Sequence, residues 1–136
     1  MTMTAEFIVI VHHLAQAKSV VRIADELIFK VQLRSAPGAA ASAGVGYLKA
    51  LGDEVGHSLV IDCDDDPGLA MAALRAGSKQ LLFAGPAKLQ LRIGQMAERC
   101  GGRVQHPDET SLMTIDLSPD DDEHDIRSKL TASARS

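Results

Sequence analysis

The sequence predicts an α/β domain built around a mainly parallel sheet. Short apolar runs rich in Val, Ile and Leu alternate with amphipathic stretches of helical length along most of the chain. The predicted strands begin about 21 to 30 residues apart, which leaves room for one strand and one helix in each unit. Strands that are joined through helices in this way become parallel neighbours in one sheet.

Four to five strand–helix units follow one another. We predict strands over 7–11, 28–33, 58–63, 79–85 and 102–106. Helices are predicted over 14–27, 39–55, 67–77 and 86–102. In the first helix the apolar residues recur at steps of three and four, as expected for one buried stripe. The second is the weakest prediction, because each of its three glycines costs about 1 kcal/mol relative to alanine.

Proline follows three of the predicted strands, at Pro37, Pro67 and Pro86. Proline suits the first position of a helix, because the N–H group that it lacks would have no partner there. The residue before it is kept out of the helical conformation and so becomes a natural cap. These prolines therefore predict sharp turns from strand into helix.

Residues 1–107 are predicted to form a single α/β domain, and residues 108–136 an acidic extension that is partly mobile. The first segment carries 11 Lys and Arg against 10 Asp and Glu, whereas the second carries three against eight. Within the extension, 112–117 is expected to be an edge strand. A helix is expected to begin at Ser118 and Pro119, where the following aspartates favour the positive end of the helix dipole.

Composition excludes several classes of function. No cluster of Lys or Arg offers a footprint for nucleic acid, and aromatic residues make up only 3% of the chain. The apolar run at 7–11 is too short to cross a membrane and has no basic leader. Two cysteines, Cys63 and Cys100, lie in apolar surroundings and are expected to be buried, reduced and unreactive in a cytoplasmic protein.

The candidate site lies at the carboxyl ends of the predicted strands, where parallel α/β sheets bind their ligands. The residues expected at this edge are His12, His13, Arg34, Ser35, Asp62, Asp64, Gly85 and His106. Histidines and carboxylates that converge there suit a divalent metal or acid–base chemistry. No histidine or cysteine spacing is diagnostic of a metal site, so none is expected.

The acidic run Asp62-Cys63-Asp64-Asp65-Asp66 divides into two roles. Asp65 and Asp66 precede Pro67 and are best explained as the start of a helix. Asp62 lies inside the apolar strand, so its carboxylate either has a partner there or faces an open strand end. We therefore regard Asp62 as the strongest functional candidate in the run and Asp64 as the second.

The stretch 37–46 is rich in glycine and alanine, and its backbone N–H groups could hold a phosphate near Arg34. The alternative is a tight turn with close packing of helix on sheet. The stretch lacks the Gly-Lys-Ser/Thr of a P-loop and does not match Gly-x-Gly-x-x-Gly. No aromatic pair is available to hold a flavin ring, and the sequence identifies no cofactor.

The run VIDCDDDPGLAMAALRAGSKQLLFAG, residues 60–85, resembles a strand–helix step of TIM-barrel enzymes of the aldolase type. The resemblance implies either half a barrel's worth of units or an open doubly wound sheet of the flavodoxin-like type. A complete barrel needs eight units. No lysine lies at a strand end where a Schiff-base aldolase would place one, because Lys30 begins a strand and Lys79 precedes one.

Two hypotheses of function follow. The first is a non-catalytic or regulatory module that self-associates or binds a partner, since the chain lacks a catalytic signature and its sheet edges need cover. The alternative is a protein that binds a phosphorylated or carboxylated metabolite, or a lyase-like enzyme, with its site at the strand ends. The sequence leaves open whether the chain is an enzyme.

Overall fold

The computed structural model describes residues 5–134 and confirms the α/β class. Six parallel strands form one sheet in the order β5-β4-β3-β2-β1-β6. The strands are β1 Glu6–Val11, β2 Lys30–Ser35, β3 Leu59–Asp62, β4 Gln80–Leu82, β5 Arg103–Gln105 and β6 Met113–Asp116. From β1 to β5 each strand lies next to its successor, without the reversal of the flavodoxin-like order. The C-terminal strand is at an edge, as predicted.

Six α-helices connect and flank these strands. They are α1 Leu14–Leu27, α2 Ala39–Ala43, α3 Val45–Val55, α4 Pro67–Arg75, α5 Ala87–Arg99 and α6 Glu123–Ala134, with a short 3-10 helix at Pro107–Glu109. No helix in this described part of the chain is both long and apolar enough to cross a membrane.

All the α-helices pack on the same face of the sheet. Their buried residues join one apolar cluster with alternate strand residues such as Val9, Leu33 and Ile61. The intervening residues point to the other side, because successive side chains of a strand face opposite ways. We call that side the helix-free face; its side chains include those of Ile8, Ile10, Gln32, Arg34, Val60, Asp62, Leu82 and Asp116.

The connection between β5 and β6 is short. Only residues 106–112 join these two strands, which are the first and last in the strand order. Five strand spacings amount to roughly 24 Å in a flat sheet, and three of the seven connecting residues form a 3-10 helix, which rises only about 2 Å per residue. The connection is too short for a flat sheet, so the sheet must curve and bring its two edges toward each other. Burial of Ile8, Val60 and Leu82 without a helix above them agrees with their lying on the inside of that curve.

Several sequence predictions about local structure and burial were wrong. The helix predicted over 39–55 is interrupted at Gly44, whose φ of 93° lies outside the helical range. Strand β2 begins at Lys30, because Ile28 ends α1 in the left-handed conformation. Pro37 lies in a turn before α2, and Pro86 occupies the cap position of α5, so only Pro67 opens a helix as expected. Cys100 is exposed, although Cys63 is buried.

The C-terminal segment packs against the start of the chain. Strand β6 pairs with β1, and α6 lies beside α1 with Ile126 and Leu130 buried. Helix α6 begins at Glu123 rather than at Ser118. Asp122 and Asp125 exchange side-chain-to-backbone hydrogen bonds of 2.9 and 3.1 Å, which cap the helix reciprocally. The proposed division at residue 107 and the mobility of the segment stay predictions.

Candidate functional site

The carboxyl edge of the sheet collects polar side chains beneath the N-termini of the helices. Helices α1, α4 and α5 each begin three to five residues after a strand ends, so their positive dipole ends lie at this edge. The dipoles favour negative charge there, whether it comes from an aspartate of the chain or from a ligand.

Ser35, Asp62 and Asp64 are brought together as predicted, in one hydrogen-bond network. The Ser35 hydroxyl accepts from the Asp62 N–H at 2.9 Å, and Asp62 Oδ1 accepts from the Asp64 N–H at 2.9 Å. Asp64 Oδ2 accepts from the Gly38 N–H at 3.2 Å, and the Asp64 carbonyl accepts from Ala84. Asp64 therefore ties together the turns that follow β2, β3 and β4, with a left-handed φ of 52°.

Asp66 caps α4, as predicted. Its Oδ1 accepts hydrogen bonds from the N–H groups of Gly68 and Leu69, at 2.8 and 3.2 Å. Asp65 is exposed beside it. The acidic run thus supplies a helix cap at its end and a structural link at Asp64, which leaves Asp62 as the carboxylate directed toward the helix-free face.

Arg34 lies on β2 with its side chain on the helix-free face, and the residue is only 8% exposed. Its Nε donates to Gln32 Oε1 at 3.0 Å, and this is the only hydrogen bond of the guanidinium within residues 5–134. Within the same residues, Ser78 Oγ is the only buried side-chain N or O atom that has no hydrogen-bond partner. The Nη atoms of Arg34, which also have no partner, are therefore not fully buried.

Asp62 lies close enough to Arg34 for their charges to interact, yet the described residues form no ion pair between them. Arg34 pairs in register with Val60, so Asp62 is two residues further along β3. The two α-carbons are accordingly about 8 Å apart, from one strand spacing and two residue rises. Oδ2 of Asp62 has no hydrogen bond among the described residues. It is not among the buried atoms without a partner, so it is accessible to solvent.

Burial sets the charge properties of both groups. Desolvation raises the pKa of Asp62, and the nearby Asp64 charge adds to the rise, while the Asp64 N–H and Arg34 oppose it. Desolvation likewise lowers the pKa of Arg34, with Asp62 acting against the change. An arginine remains protonated even so. The helix-free face therefore holds a fixed positive charge beside a carboxyl group that gives up its proton less readily than usual.

His12 and His13 do not join this group. His12 Nε2 lies 2.6 Å from the Leu117 carbonyl, and His13 Nε2 lies 3.3 Å from that of Pro119. His13 Nδ1 also accepts from the Gln16 N–H and so caps α1. The two histidines fasten the segment that follows β6 to the start of α1.

Gly85 and His106 also lie apart from the Arg34 group. A Cβ at position 85 would come within 2.2 Å of the Phe83 ring, so this turn accepts only glycine without rearrangement. His106 Nδ1 accepts from the Asp108 N–H at 3.2 Å and caps the 3-10 helix. Both residues shape turns at the strand ends.

The sequence analysis did not single out Gln16 or Gln32, whose side chains hold the groups around them in position by hydrogen bonds. Gln32 orients Arg34, and Gln16 is buried where its amide links α1 to the carbonyls of Ser118 and Asp121. The alternation of Lys30, Gln32 and Arg34 with Val31, Leu33 and Ser35 was a usable signal for Gln32, since it marks a strand with one polar face. No sequence pattern points to Gln16, because its partners are far along the chain.

Neither metal chemistry nor a cysteine nucleophile is indicated here. In the part of the chain that the structure covers, no three His, Cys, Asp or Glu side chains are grouped as metal ligands would be. Burial raises the pKa of the Cys63 thiol to about 12, and three neighbouring aspartates add to the rise. The thiolate that a nucleophile requires is therefore disfavoured at Cys63.

No protein-family model matches the chain, and no curated protein matches it at a significant level. The resemblance of residues 60–85 to an aldolase-type step accordingly stays a prediction.

Proposed function

We propose that the protein binds a small carboxylated or phosphorylated molecule at the carboxyl edge of its helix-free face. One observation carries this proposal: Arg34 is only 8% exposed as a residue, yet its two Nη groups have no acceptor in the described residues and remain accessible. A buried charge is costly unless something pairs with it. A carboxylate or phosphate oxygen matches the fork of an arginine and can accept two hydrogen bonds.

The surroundings of Arg34 support the same proposal. Ile10 and Val60 are its register neighbours on β1 and β3, and Leu82 lies beside Asp62 on β4. Small-molecule sites commonly combine an apolar floor with a few polar groups that fix orientation. The helix N-termini at this edge add a favourable potential for an anion.

Titration with inorganic phosphate, propionate and alanine tests the proposal. The side-chain Nε–H resonance of Arg34 is followed by NMR, and we expect at least one of the three to shift it saturably. The substitution Arg34→Gln should abolish the binding, whereas Arg75→Gln, an exposed arginine on α4, should leave it unchanged. Failure of all three compounds to bind, or equal loss in both variants, would refute the proposed function.

A second candidate function is self-association through the outer surface of α5. Leu91 is 64% exposed beside a groove of about 350 Å³ that Ala87, Gly94 and Gln95 help to line. Gly94 has open space where a side chain would be. A projecting leucine next to a groove on the same helix is the self-complementary arrangement that a two-fold dimer needs.

The charges on α5 favour an antiparallel pairing of two copies. Lys88 lies near its start and Glu98 near its end, and neither belongs to an ion pair within residues 5–134. A two-fold axis that passes between Leu91 and Gln95 on the outer surface would bring Lys88 of each copy beside Glu98 of the other. Such exposed pairs set orientation more than affinity.

Sedimentation velocity tests this candidate. We expect a dimer at high protein concentration and a monomer after Leu91→Asp. Ile28→Asp, at a residue that is 79% exposed elsewhere on the surface, is the matched control and should leave the dimer intact. A strict monomer in the unmodified protein would contradict self-association without bearing on the anion site.

A further inference from the structure

We propose that the ligand of this face is a small zwitterion, with a carboxylate for Arg34 and an ammonium group for Asp62. The inference rests on the proposed function, because it assigns the anionic half of the ligand to Arg34. It adds a second recognition group and thereby a chemical class, that of α-amino carboxylates.

The argument starts from two opposite charges that do not pair with each other. Arg34 and Asp62 share one face on adjacent strands, and each influences the proton affinity of the other. Nevertheless they form no ion pair among the described residues, and each keeps an unused hydrogen-bonding edge: the Nη groups of Arg34 and Oδ2 of Asp62. Without a ligand, the Nη groups of Arg34 and Oδ2 of Asp62 can hydrogen-bond only to water, although Arg34 is 8% exposed and Asp62 is partly buried.

Local hydrogen bonds hold the two groups apart. Gln32 accepts from Nε of Arg34 and so draws the guanidinium toward the amino end of β2, away from Asp62. The Asp64 N–H holds Oδ1 of Asp62 at the opposite end, beyond the end of β3. The space between a fixed donor fork and a fixed acceptor oxygen suits a ligand that presents the opposite groups at its two heads.

The remaining neighbours limit the size of the ligand. Val60 lies between the two groups on β3, and Leu82 is the register partner of Asp62. These apolar side chains offer contact to a methyl or short aliphatic group. The short connection from β5 to β6 requires the sheet to curve toward this face, which reduces the space above it. A short aliphatic amino acid fits these conditions better than a sugar phosphate.

Three probes of equal chain length separate the contributions: propionate has only the carboxylate, lactate adds a hydroxyl, and alanine adds an ammonium group. Dissociation constants are measured by NMR from the Arg34 Nε–H shift. We expect alanine to bind at least about tenfold more tightly than propionate, as a charge-assisted hydrogen bond provides. In Asp62→Asn the dissociation constants of alanine and propionate should become about equal. The dissociation constant of propionate itself should stay within a factor of about three of its value in the unmodified protein.

The outcomes distinguish the two proposals. If propionate binds as tightly as alanine, or if lactate is preferred, the zwitterion inference is wrong and anion binding by Arg34 still stands. If none of these probes binds and inorganic phosphate does not bind either, the proposed function itself fails. Asp65→Asn, which changes an exposed aspartate three residues away, should keep the preference for alanine and serves as the matched variant.

Discussion

The two edges of the sheet differ in how their polar groups are used. At the carboxyl edge, where helices begin, side chains such as Asp64 and Asp66 accept from backbone N–H groups. At the amino edge, where helices end, lysines are the donors: Lys79 donates to the Cys100 carbonyl, and Lys49 contacts both oxygens of Asp53. Carboxylates thus satisfy backbone donors at one edge, and ammonium groups satisfy a backbone carbonyl and a carboxylate at the other.

The amino edge also holds a cavity of about 240 Å³, lined by Lys49, His57, Ser78 and Lys79 among others. Its lysines already have partners within the protein, and the helix carbonyl ends nearby disfavour an anion. Arg34 at the other edge has neither restriction. The difference favours Arg34, whose Nη groups have no acceptor in residues 5–134, over the concave amino edge as the position of the proposed ligand site.

The carboxyl edge should be the more sensitive of the two to the loss of one polar side chain. Gln16 is 1% exposed; its Oε1 accepts from the His12 N–H, and its Nε2 donates to the carbonyls of Ser118 and Asp121. Gln16→Leu keeps the bulk but leaves these groups without partners. We expect the free energy of unfolding to fall by about 3 kcal/mol in urea denaturation. Gln80→Leu, at an exposed glutamine, should change it by no more than about 0.5 kcal/mol.

The amino edge should respond in the opposite direction. Ser78 is 3% exposed, and its hydroxyl has no hydrogen-bond partner within residues 5–134. Since burying an unpaired hydroxyl costs energy, Ser78→Ala should raise the free energy of unfolding by about 1 kcal/mol. The same substitution at exposed Ser58, in the same cavity, should have almost no effect. A loss of stability in Ser78→Ala would show that the hydroxyl has a partner after all.

The smallest expected effect is a change in pH dependence at Asp62. Its pKa is raised in the folded protein, so the folded state binds more protons than the unfolded state just above the ordinary aspartate pKa. Stability contributed by this group is therefore lost as pH rises through that window. Asp62→Asn keeps an acceptor for the Asp64 N–H and should be slightly more stable than the unmodified protein at neutral pH. Thermal unfolding at pH 4 and pH 7 should show the difference shrinking on acidification, and a difference that grows there would contradict the assignment.

Much of the carboxyl edge could be predicted from sequence because its signals are local. A strand followed by Asp66 and Pro67 specifies a capped helix within a few residues, and the structure confirms it. The network of Ser35, Asp62 and Asp64 follows from parallel strands that end together. The alternation of polar and apolar residues in β2 also indicates that one face of this strand is not covered by helices.

The rest depends on contacts between distant parts of the chain. His12 and His13 looked like site residues because they end a strand, but the segment after β6 uses them as hydrogen-bond partners. Which face the helices cover depends on strand order, and an apolar stripe on a helix carries no information about that order. Cys100 belongs to an apolar-looking stretch, yet it lies one residue beyond α5, where the stripe has ended.

The pairing of β6 with β1 has a consequence for biosynthesis. Phe7 and Met113 are register partners, so one side of β1 has no neighbour until the ribosome has made nearly the whole sheet. Pairing between such distant segments is slow to form. Until β6 is available, the unpaired apolar edge of β1 can pair with a strand of another chain and cause aggregation. Nascent chains halted before residue 113 should therefore depend on chaperones more than chains that carry β6.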